Sequence, residues 1–92
     1  MFRRTLSAIT ALLFAVACTS QPAVVERTGP NDLLKLRAGP GLGYRVIMGL
    51  PDGTALNRRG CVTEVGQLWC EVSLASSPDV TGYVSADYIS GI

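Results

Sequence analysis

Leu36-Arg37-Ala38-Gly39-Pro40-Gly41 is the stretch on which the fold turns. Leu34 and Leu36 alternate with Lys35 and Arg37, the period of two expected of a half-buried strand. That strand runs into Gly39-Pro40-Gly41 and Leu42-Gly43-Tyr44 before a new apolar run, Val46-Ile47-Met48. A phosphate-binding glycine loop would end in Lys-Ser or Lys-Thr and open a helix, and neither follows here. The segment is a strand that stops and re-aims. Gly39, Gly41 and Gly43 are free to take positive φ, and Pro40 fixes φ between two of them.

Outward from this point the local signals are strands and turns. Leu50-Pro51-Asp52-Gly53 has Pro second and Gly fourth, a tight-turn signature. Residues 54–64 form a strand region with a break expected at Gly60. Leu68, Cys70, Val72 and Leu74 alternate with Trp69, Glu71 and Ser73. Residues 75–81 contain Ser76, Ser77, Pro78 and Asp79 and are expected to loop. Gly82-Tyr83-Val84 is a short strand. Ser85-Ala86-Asp87-Tyr88-Ile89 suits one 3₁₀ turn before a last strand. With no amphipathic helix in the pattern, residues 32–92 are expected to be all-β, five short strands in a small barrel or sandwich.

The chain of 92 residues divides early. Residues 1–17 combine Arg3 and Arg4 with an apolar stretch from Leu6 to Val16 and small residues at the exit, the pattern of an export signal peptide. Two cleavage sites compete. Ala15-Val16-Ala17 fits the general secretory peptidase. Ala17 before Cys18 resembles a bacterial lipobox, although Ala15 stands where Leu is usual. In the first case the protein is soluble in the periplasm or secreted. In the second, lipid on Cys18 anchors it to a membrane facing the periplasm, the outer membrane if the host is Gram-negative. Residues 18–31 then carry the lipidated Cys and a flexible tether with one apolar pair, Val24-Val25. As a coil of about 13 residues it would span roughly 20 Å.

Of the three cysteines, Cys18, Cys61 and Cys70, export implies that two should pair. If Val65-Gly66 is a two-residue hairpin loop, Glu64 faces Gln67, Thr63 faces Leu68, Val62 faces Trp69 and Cys61 faces Cys70. That last pair is non-hydrogen-bonded, close enough for a disulfide. A metal site at the same cysteines would lack histidine partners, because the chain has no His.

Taken in order, Arg37-x-Gly39-Pro40, Cys61, Trp69-Cys70 and Gly82-Tyr83-Val84-Ser85-Ala86-Asp87-Tyr88-Ile89 resemble the bacterial SH3-like (SH3b) domains of exported proteins. The resemblance covers residues 32–92 and implies a five-stranded SH3-like barrel with one 3₁₀ turn. It also implies a ligand groove paved by Trp69, Tyr83 and Tyr88, with Tyr44 nearby. Strand alternation agrees in turning Trp69 outward if Cys70 and Val72 point in. The competing role for Trp69 and Tyr83 is to cover a barrel end, with Tyr88 packed under the loop. The paired tyrosines and acidic first loop of proline-binding relatives are absent, which argues against proline-rich ligands.

Charge and chemistry narrow the function. After the leader, six basic residues face seven acidic ones. That near-balance argues against nucleic acid, which calls for a basic face. Without His no Ser-His or Cys-His dyad can form, so no catalytic residue, metal or cofactor is expected. The expectation is a monomeric, non-catalytic envelope module that binds peptidoglycan or its stem peptides. The alternative is an adaptor that binds an envelope protein through the same groove.

Overall fold

A two-residue turn sets the register of half the sheet. In the computed structural model, which describes residues 20–91, Val65 and Gly66 have φ of 51° and 76°. Positive φ at both central residues is the geometry whose twist matches paired strands. The strands in chain order are Gln21–Val25 (β1), Leu34–Arg37 (β2), Val46–Leu50 (β3), Ala55–Glu64 (β4), Gln67–Leu74 (β5), Ser77–Ser85 (β6) and Ile89–Ser90 (β7). A 3₁₀ turn, Ala86–Tyr88 (η1), precedes β7. The register across the Val65-Gly66 turn is the expected one, from Glu64 opposite Gln67 to Cys61 opposite Cys70. The two cysteines form a disulfide with Cα atoms 3.9 Å apart.

The architecture is all-β, one curled antiparallel sheet in the order β3-β2-β6-β5-β4-β1-β7. It has seven strands where five were expected. One extra strand, β1, lies in the segment read as tether. It pairs with β4 from Gln21 opposite Arg58 to Val24 opposite Ala55, and with β7 through Val24 and Val25. Ala23 and Val25 face the core, and Val25 is only 1% exposed. The apolar face of β1 is just two residues deep, too little periodicity to stand out beside Pro22 and Gln21. Residues 21–25, ahead of residue 32, are therefore part of the same sheet. The leader expected at 1–17 and Cys18 lie outside the described residues.

Two more boundaries differ from expectation. The loop expected over 75–81 shrinks to a tight link, and β6 already starts at Ser77. Leu74 pairs with Ser77 and Ser73 with Thr81, so Pro78, Asp79 and Val80 are skipped in the ladder. A bulge of this kind accepts proline, which has no N–H to donate. The break expected at Gly60 is also a bulge: Arg58 faces Val72 and Gly60 faces Glu71, leaving Arg59 out while β4 continues. The turn after β3 is displaced by one residue. Thr54 N donates to Pro51 O at 3.2 Å, and Gly53 takes the positive φ, 89°.

The core is the inward row of each strand: Ala23, Val25, Leu34, Leu36, Leu50, Leu56, Cys70, Val72, Leu74, Val84 and Ile89. Each large aliphatic member contributes about 1.5–3 kcal/mol on burial. The same alternation turns Lys35, Arg37, Trp69 and Ser85 to the opposite face, where the long loop between β2 and β3 and the 3₁₀ turn lie.

Candidate functional site

The long loop, residues 38–45, is held by its own first neighbour. Arg37 Nη1 donates to the carbonyl oxygens of Leu42 and Tyr44, both at 3.2 Å. Ala38 N donates to Arg45 O at 2.8 Å and closes the base of the loop. None of Gly39, Gly41 and Gly43 has positive φ. Gly39 is needed for space: a Cβ there would stand closer than 3.0 Å to the Tyr44 ring. The expectation of left-handed glycines in this loop is thus replaced by close approach, with Tyr44 folded back over Gly39.

The 3₁₀ turn is held from three sides. Ser85 caps it, its Oγ accepting from Asp87 N at 3.3 Å and from Gln67 Nε2 at 2.9 Å. Glu26 N donates to Tyr88 O at 2.9 Å. Arg27 Nη2 donates to Asp87 O at 2.5 Å, while Arg27 Nη1 pairs with the Glu26 carboxylate. Residues just after β1 therefore help to fix the turn that carries Tyr88.

Between loop and turn lie two adjoining hollows of about 260 and 740 Å³. Leu42, Trp69, Ser85 and Tyr88 line both. The smaller adds Arg27, Thr28, Asp32, Lys35 and Arg37 among others. The larger adds Pro40, Tyr44, Glu64, Val65, Gln67 and Asp87 among others. Trp69 is 5% exposed, whereas Tyr44 and Tyr88 are 51% and 40% exposed. Alternation does turn Trp69 away from Cys70, but that face is not open solvent. Leu42 of the loop and Tyr88 of the turn stand beside it, so Trp69 is the floor of a groove and not an exposed indole. It also lies outside the core cluster.

Tyr83 does not reach the groove. It is half-buried in β6, opposite Arg37 and Glu71, and lines neither hollow. It shares a face with Ser85, yet neither hollow reaches its ring, although Arg37 opposite it lines the smaller one. Trp69, Tyr88 and Tyr44 are brought together as expected. The sequence pattern does not single out Leu42, Gln67 and Val65, which also line the larger hollow. Val65 is a β-branched residue held at φ 51° and fully exposed on the rim of the larger hollow. That conformation is costly for valine. Only its place in the two-residue turn, itself legible, could have marked it.

Thr28 is held from below. Its hydroxyl donates to Asp52 Oδ1 at 2.6 Å and its backbone N–H to the same oxygen at 3.0 Å. These two bonds, the hydroxyl first, hold the Asp52 carboxyl below the ordinary carboxylate range. The turn after β3 thereby fixes a residue that lines the smaller hollow. Among the described residues no group of His, Cys, Asp and Glu is arranged to hold a metal, and no helix is long and apolar enough to cross a membrane.

The model of the bacterial SH3 domain family matches residues 32–90. β1 lies ahead of the matched segment, although it is part of the same sheet. No curated protein and no solved structure matches the chain.

Proposed function

This chain belongs to the bacterial SH3 domain family, and from that premise we propose that it is a non-catalytic module of the cell envelope whose groove binds peptidoglycan or its stem peptides. The observation that carries the proposal is the groove itself: a buried Trp69 floor between half-exposed Tyr44 and Tyr88. Both tyrosines are pre-placed, one by Gly39 and the Arg37 hydrogen bonds, the other by the capped turn. A ligand that stacks on them meets little ordering cost, which is what pre-organisation contributes to affinity.

Retention of the mature protein on purified murein tests this. Tyr44→Ala and Tyr88→Ala should each weaken retention about tenfold, since such aromatic anchors contribute on the order of 1–3 kcal/mol. Their melting should stay close to that of the unaltered protein, because both rings are half-exposed. Trp69→Ala is a poorer probe, as truncating a buried Trp costs about 3–5 kcal/mol of stability. Retention unchanged in both tyrosine variants would remove the groove from the binding surface.

A protein partner is the second reading, and β3 favours it. Val46, Ile47 and Met48 expose three consecutive apolar side chains on an edge strand. An uncovered apolar edge is a template for another strand.

The proposal extends to export by the leader at 1–17 and anchoring through lipid on Cys18, with the domain facing the periplasm. Only Thr19 and Ser20 separate Cys18 from β1. A lipid anchor there would hold the domain against the headgroups and not at the end of a 13-residue tether. Membrane fractionation of Cys18→Ser checks the anchor. Release or failed processing supports it, and unchanged fractionation means cleavage after Ala17.

A further inference from the structure

The two hollows carry opposite charge. The smaller is lined by Arg27, Lys35 and Arg37 against Asp32; Arg27 is paired with Glu26 and donates to the Asp87 carbonyl, so Lys35 and Arg37 set the sign of this hollow. The larger is lined by Glu64 and Asp87 with no cation. Residues 20–91 as a whole hold six basic and seven acidic side chains, so the separation is local and not a reflection of overall charge.

The charges at the two ends are also available. Glu64 takes part in no ion pair among the described residues. Among the described residues the Asp87 carboxylate accepts only from the neutral Gln67 amide, at 3.4 Å. Arg37 forms no ion pair; its Nη1 serves two loop carbonyls, and its other nitrogens have no protein acceptor among the described residues. Lys35 approaches Asp32 at 3.7 Å, an exposed pair of the weak kind.

Resting on the groove reading above, we propose that the groove takes an extended zwitterionic peptide in one direction. Its carboxylate end lies in the hollow of Arg37 and Lys35, and its ammonium in the hollow of Glu64 and Asp87. Guanidinium and carboxylate match in shape as well as charge, and a concave site of one sign concentrates the opposite sign. A polyanion laid along the whole groove meets Glu64 and Asp87. A polycation meets Arg37 and Lys35. Only a ligand with both charges at separate ends is favoured throughout. An uncross-linked stem peptide, with free carboxylates and a free side-chain amine, has that chemistry.

The probe is an uncross-linked disaccharide-tetrapeptide bearing a free amine, in four forms: unmodified, carboxylates amidated, amine acetylated, and both. Trp69 is the sole tryptophan and lines both hollows, so its fluorescence reads binding to the full mature chain. Amidation and acetylation should each raise Kd about tenfold. In Lys35→Gln the cost of amidation should shrink while that of acetylation persists; in Glu64→Gln the pattern should reverse. Equal binding of all four forms overturns the zwitterion assignment and leaves the groove reading intact. Modification costs that do not change in the two variants overturn the direction. Failure of every form to bind, with melting normal, sinks the groove reading itself and this inference with it.

Discussion

The ring of Tyr44 occupies the space that a Cβ on Gly39 would need, at less than 3.0 Å. Gly39→Ala must therefore move one of them. Tyr44 is half-exposed and the loop backbone is pinned by Arg37, so the ring is what yields. The expected result is a several-fold loss of murein retention with a stability change of about 1 kcal/mol or less. Chemical denaturation and retention, measured on the same preparation, check it. A large stability loss with retention intact would show that the loop backbone gave way instead.

Val25→Ala tests whether β1 belongs to the fold. The side chain is 1% exposed and packs in the core, so its truncation should cost about 2 kcal/mol. In a flexible tether the same substitution would change nothing. Urea denaturation of the mature domain distinguishes the two.

Replacing Cys61 and Cys70 together by Ala opens a loop closed over nine residues of sequence separation. Loop entropy puts the loss at about 2.7 kcal/mol. For a domain of this size that corresponds to a drop of roughly 10 °C or more in melting temperature. Calorimetry with and without reductant reads it, and a melt insensitive to reductant would count against the cross-link.

Asp52 gives a pH dependence of known sign. Its carboxyl is held low in the folded state by Thr28, so the folded protein binds that proton more weakly than the unfolded chain. The stabilisation is fully present above the unfolded value, about pH 4, and fades as pH falls through the lower folded value. Asp52 is exposed, which keeps the effect small. Below about pH 4 the unaltered protein should lose melting temperature faster than Asp52→Asn. Parallel acid limbs for the two proteins would contradict the assignment.

Much of this architecture is written in short-range pattern. Period-two alternation from Leu68 to Leu74, the Val65-Gly66 turn and the Cys61–Cys70 pairing follow from local rules, because a two-residue turn leaves one register and side chains alternate without exception along a regular strand. The 3₁₀ turn was legible for the same reason. The aromatic set Trp69, Tyr44 and Tyr88 was legible in part, through family resemblance and strand direction.

What local pattern could not supply is what covers each face. Alternation turns Trp69 away from Cys70, but its burial at 5% exposure and its place between Leu42 and Tyr88 in both hollows come from residues distant in sequence. Tyr83 shares that face and still lines neither hollow, although its partner Arg37 lines the smaller one. β1 was hidden because two inward residues, Ala23 and Val25, make no visible period; their partners on β4 and β7 lie more than 30 residues away. The separation of charge between the hollows has the same origin. Lys35 and Glu64 are 29 positions apart, and only the tertiary fold sets them in adjoining hollows that share Trp69.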